Sequence, residues 1–123
     1  MNIFVHGQNL QDKQTILQKC IDLPALQNFF HVDKLPERVP LIIYFADYKA
    51  HDIKLTKFNT AVKIITDKDS LKTKAYLDIK KFEITNNKAD VLLNYSIEGI
   101  QVQITLTKIN DNWTLQTSKL TEK

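Results

Sequence analysis

The chain has 123 residues, is 43% hydrophobic and 25% charged, and carries a formal net charge of +3. That is the composition of one globular domain, residues 1–123, long enough for a single core and too apolar to be disordered. The basic and acidic side chains are spread over both halves and Arg38 is the only arginine, so bidentate reading of bases or phosphates is poorly supplied and nucleic acid is not an expected partner.

At the N-terminus, Ile3-Phe4-Val5 before His6 and Gly7 falls short of the apolar core of a secretion leader. No run approaches the roughly 18 apolar residues of a spanning helix. The compartment stays open: cytoplasm, or periplasm if a leader has been removed. Residues 9–31 read as helical. Ile16, Leu17, Cys20 and Ile21 form one apolar stripe at helical period. Asn9 and Asp12 make an acceptable capping pair. Pro24 then interrupts, so Asp22 is expected to cap a second helix of about two turns, with Leu26, Phe29 and Phe30 on its buried side.

Leu35-Pro36 and Val39-Pro40 predict an irregular arm over 32–40, because a residue before proline is pushed to extended conformations. Residues 41–46, Leu-Ile-Ile-Tyr-Phe-Ala, read as a strand covered on both faces. Ile53, Leu55 and Phe58 hint at another strand whose alternation fails at Lys57. Val62, Ile64 and Ile65 make a further short one.

From Ala75 to Thr121 four alternating segments are separated by Asn86-Asn87, Glu98-Gly99 and Asn110-Asp111. These residues tolerate the positive φ of tight hairpin turns, which predicts a four-stranded antiparallel meander. In its first strand Leu77 and Ile79 have one parity and Phe82 and Ile84 the other. An extra residue at Lys80-Lys81, a β-bulge, restores one apolar face. Ala89, Val91, Leu93, Tyr95 and Ile97 point inward, then Ile100, Val102, Ile104 and Leu106, then Trp113, Leu115 and Thr117. Trp113 is expected to pack among Leu93, Tyr95, Ile104 and the helix near Leu17.

The outward face of this meander reads as polar but uncharged: Asn94, Ser96, Gln101, Gln103, Thr105, Thr107, Thr114, Gln116 and Ser118. Hydroxyls and amides suit wet hydrogen bonding to another protein, a second copy included; equally, Thr favours strands and the face is then idle. A second candidate site is Tyr44, Asp47, Tyr48, His51 and Asp52, where a carboxylate near Tyr and His has the ingredients of a proton-abstracting base. The bland reading is a polar loop after a strand. Parity sends Tyr44 and Asp47 to different faces, which predicts a solvent-exposed Asp47 without a strongly shifted pKa. His31 and Asp33 form a weaker pair. His6, His31 and His51 are scattered and Cys20 is the only cysteine, so neither a metal site nor an intrachain disulfide is expected. Gly7 and Gly99 are the only glycines, so no Gly-rich phosphate loop exists and no nucleotide cofactor is expected.

A bent N-terminal helix before an antiparallel sheet, with the closing hairpins from Ala89 to Trp113, resembles the nuclear transport factor 2-like, cystatin-like superfamily. The resemblance implies a curved sheet wrapping the helix around a conical pocket, which serves catalysis in some members and binding in others. It carries no catalytic role onto Tyr44, Asp47 or Tyr48, since fold does not transfer function. The expectation is an α+β domain that acts as a non-catalytic binding module of accessory or immunity type. It would engage a protein or small ligand through the helix–sheet pocket or the polar sheet face. The alternative is a small lyase or isomerase with an Asp-Tyr-His pocket.

Overall fold

A computed structural model of the protein describes residues 3–47 and 49–123, with side chains from Leu10 onward. The helical elements are α1 (Ile3–Ile21) and α2 (Pro24–Gln27). The strands are β1 (Ile42–Tyr44), β2 (Thr56–Lys57), β3 (Thr60–Ala61), β4 (Lys63–Ile65), β5 (Leu77–Thr85), β6 (Lys88–Tyr95), β7 (Ile100–Ile109) and β8 (Asn112–Glu122). Six of them form one sheet in the order β4-β1-β5-β6-β7-β8, and β2 and β3 pair as a separate small hairpin. The fold class is α+β. The antiparallel part of the sheet is the meander β5–β8; ahead of it, β1 runs parallel to both β4 and β5.

The apolar stripe of α1 forms the centre of the core: Ile16, Leu17, Cys20 and Ile21 are fully buried. Each large aliphatic side chain so buried stabilises the fold by about 1.5–3 kcal/mol. The helix starts earlier than Asn9, at Ile3, so position 9 is inside it and not at its cap. Asp12 instead accepts from Trp113 Nε1 at 3.0 Å and lies 3.5 Å from Lys108 Nζ. Pro24 opens α2 as expected, but Leu23 holds the cap position without a side-chain bond, and α2 is a single turn. Asp22 accepts from Gln18 and Lys57 instead. The arm bears a short 3-10 turn at Pro36–Arg38 and a cis Val39–Pro40 bond.

Two of the three meander turns match the sequence reading. Asn86-Asn87 and Asn110-Asp111 are two-residue connections, with positive φ at Asn86, Asn110 and Asp111. The middle one is longer: β6 ends at Tyr95, Ser96–Glu98 make a 3-10 turn, and Gly99 closes it at φ 67°. Ile97 thereby leaves the inward row and is 42% exposed. A side chain at Gly99 would be strained at this φ, and its Cβ would meet Lys123 O at 3.3 Å.

The bulge in β5 lies at Lys80, between the pairs Ile79–Leu93 and Lys81–Leu92. A second irregularity in β8 leaves Gln116 as the extra residue, between Leu115 opposite Leu106 and Thr117 opposite Thr105. Directly opposed residues share a face. Thr117 is therefore on the outer face, and Ser118, opposite Ile104, is on the inner one. Trp113 is buried, but it pairs with Lys108 while Tyr95 pairs with Ile100. Eight residues of strand, roughly 26 Å, separate those registers, so Trp113 and Tyr95 anchor opposite ends of the core and do not touch as expected.

Candidate ligand-binding notch

β1 pairs with β5 only at Ile43–Leu77 and Tyr44–Asp78, whereas β5 runs on to Thr85. Past Tyr44 the chain peels away toward α1, and the β5 bulge kinks the facing strand at the same level. A bulge bends its strand and re-aims side chains. The result is a notch with a cavity of about 300 Å³ lined by Lys13, Phe45, Ala46, Asp47, Ile79, Lys80, Lys81 and Phe82. Its floor is apolar: the Phe45 and Phe82 rings meet at 5.4 Å between centroids. Its rim is charged, with three lysines against one carboxylate.

Asp47 occupies the mouth. It accepts from Lys13 Nζ and from the Lys49 backbone N–H at 3.0 Å, and its carbonyl accepts from Ala50 N at 2.9 Å. The expectation of a solvent-exposed Asp47 is corrected: its side chain is 26% exposed. The hydrogen bond from Lys13 holds the carboxyl below its ordinary value, outweighing the opposing effect of desolvation. Lys80 and Lys81 are half-exposed and lie 3.0 Å from Asp78 and 3.8 Å from Glu83.

The other residues of the Asp-Tyr-His cluster are not gathered here. Tyr44 is edge-on to Tyr76 at 6.5 Å and does not line the notch, as parity predicts. His51 is 63% exposed and lies 3.4 Å from Asp52. Tyr48 lies outside the described residues. His31 and Asp33 do not join as a pair; His31 lies 3.4 Å from Glu98.

The outer sheet face is corrected in composition. Asn94, Gln101, Gln103, Thr105, Thr107 and Thr114 do share it, but so do Asp78, Lys81, Glu83, Lys88, Asp90 and Lys119 by register. Thr105 Oγ1 donates to Asp90 at 3.0 Å. Ser96 lies in the middle turn, Gln116 in the β8 bulge and Ser118 on the inner row. A second depression, also about 300 Å³, opens on the inner face between Leu23 and Pro24 and the strand residues Ile104, Leu106 and Leu115.

Sequence reasoning missed a polar cluster at the Tyr95 end. Arg38, with a side chain only 9% exposed, donates to Glu98 at 2.8 Å and to the Phe30 carbonyl at 3.3 Å. Its guanidinium lies 5.9 Å from the Tyr95 ring, and Phe30 packs edge-on to both Tyr95 and Phe58. Burial pushes the Tyr95 hydroxyl pKa up. The available signal was the single arginine between two X-Pro pairs. Its partner lies 60 residues away and no spacing reveals it.

Cys20 is fully buried and burial pushes its thiol up to about 12, which makes it an inert core residue. No helix among the described residues is long and apolar enough to cross a membrane. Comparison of the chain with known protein families, with curated proteins and with solved structures finds no match.

Proposed function

We propose that this chain is a non-catalytic binding module of accessory type whose ligand seat is the notch between α1, the end of β1 and the β5 bulge. One observation carries the reading: the carboxylate in the notch is tied to Lys13 and pushed down in pKa. A proton-abstracting base works best with its pKa near the operating pH, which for a carboxyl requires an upward shift. The lyase or isomerase alternative needs that shift and needs Tyr44 at the same cavity; neither observation favours it. The bent helical lead-in and the bulged sheet are also what supports kinship with the nuclear transport factor 2-like domains, which we hold as a proposal on element order alone.

The test is titration of the Asp47 carboxyl by NMR. A midpoint below the ordinary 3.8 is expected. A midpoint above about 6, against an unperturbed value near 3.9, would overturn the binding reading in favour of proton transfer. A second proposal concerns assembly. The outer row of β7 is uncharged over Gln101, Gln103, Thr105 and Thr107, with Thr114 beside Thr107 and Lys119 opposite Gln103 on β8, and is suited to pairing with another copy.

A further inference from the structure

We infer that the notch takes a small organic anion: a carboxylate or similar head on a flat apolar body. This deepens the binding reading and rests on it. The floor of the notch suits an apolar body. Phe45, Phe82 and Ile79 form one wall system, and Phe45 is already 92% withdrawn from solvent, with 8% exposed. A cavity near 300 Å³ is at the small end of ligand sites, which bury most of a bound molecule against apolar walls. It admits a single ring or short acyl body and excludes a drug-sized one.

The rim is ionic. Three lysines line the cavity, and the single carboxylate there already accepts from Lys13. Lys80 and Lys81 are 51% and 46% exposed, and their carboxylate neighbours Asp78 and Glu83 do not line the cavity. Register directs Lys81 to the outer face beside Glu83, so the cation that an anion in the notch meets is Lys80 at the bulge, whose exposed pair with Asp78 is weak and can be exchanged at little cost. The early end of β1 supplies the second ingredient. Among the described residues no strand pairs with β5 on its β1 side beyond Asp78, and an open strand edge presents backbone N–H donors. An anion seated between that edge and Lys80 meets both kinds of donor, while its body lies over Phe82.

The experiment follows backbone amide shifts in the full chain on titration with phenylacetate, phenylacetamide and inorganic phosphate, at low and at moderate salt. Phenylacetate is expected to shift the amides of Phe45, Ala46, Ile79, Lys80 and Phe82, and to bind about tenfold more tightly than phenylacetamide. Lys80→Gln, a surface change, should abolish that preference, Lys81→Gln on the outer face should leave it, and added salt should weaken it. Equal affinity for acid and amide would overturn the anionic head and leave the notch as the seat. Phosphate binding as well as phenylacetate would overturn the apolar body. No shift in the notch with any probe would overturn the inference, and a raised Asp47 midpoint would separately overturn the binding reading beneath it.

Discussion

The sheet has two regions built on different physics. In the meander β5–β8, each strand pairs with its sequence neighbour through a turn of two to four residues, so closure entropy is small and alternation sets the register. In the wing formed by β1 and β4, three-residue strands run parallel and their partners lie far along the chain. Short parallel strands carry little pairing energy, so side chains hold the wing and the segments around it. Gln14 accepts from Lys54 N, Gln18 bonds both N and O of Thr56, Lys13 bonds Asp47, and Arg38 bonds Glu98. The notch lies at the seam, where the regular half ends and the stapled half begins.

That contrast predicts a graded set of losses. The largest belongs to the meander core. Trp113→Ala removes a buried ring and leaves Asp12 without its indole donor, and should cost about 3–5 kcal/mol in denaturant unfolding, a large part of the roughly 5–15 kcal/mol of a small domain. An unchanged midpoint would mean that Trp113 does not anchor β8 to α1. Next comes the latch of the arm. Arg38→Ala leaves Glu98 and the Phe30 carbonyl without their donor and should cost about 2–3 kcal/mol, with amide exchange rising first over residues 30–40 and around Glu98. Uniform acceleration across the meander would show that the two regions are one cooperative unit.

A smaller effect appears in acid. The folded Asp47 pKa lies below its unfolded value, so the ion pair contributes stability above about pH 4 that is lost as pH falls through the folded value. Asp47→Asn should therefore cost about 1 kcal/mol or less at neutral pH and nothing once the native carboxyl is protonated. Melting curves from pH 2 to 7 for both proteins would show the gap closing toward acid; a gap that widens there would contradict the assigned sign. The smallest effect on stability belongs to the outer face. Lys at Gln103 and Thr105 should leave the melting temperature within a degree or two, yet split any dimer formed there. A specific contact should bury about 1,200 Å² or more, and sedimentation of the wild type as a monomer at every concentration removes the assembly proposal.

The phenylalanine at the tip of the β2–β3 hairpin belongs to the same contrast. Phe58 and Asn59 both have positive φ, 58° and 62°. For a bulky residue that conformation costs roughly 1–3 kcal/mol and persists only where packing enforces it. Phe30 supplies that packing at 5.4 Å. Asn-rich turns in the meander need no such support.

What the sequence determined by itself is what short-range rules govern. The stripe Ile16, Leu17, Cys20, Ile21 follows from the helical period. The turns at Asn86 and Asn110 follow from side chains that tolerate positive φ. The bulge at Lys80 follows from a change of parity that only an extra residue repairs. Rules of the same range failed at two places: a turn closed by the Gly99 N–H on the Ser96 carbonyl took up Ser96–Glu98, and the extra Gln116 flipped Thr117 and Ser118. Tertiary structure alone decided the rest. It set the parallel placement of β1, the pairing of Asp47 with Lys13 across 34 residues, and that of Arg38 with Glu98 across 60. Ion pairs between distant segments leave no periodic trace, because any carboxylate within reach of a given cation satisfies it, and the folded backbone selects which one that is.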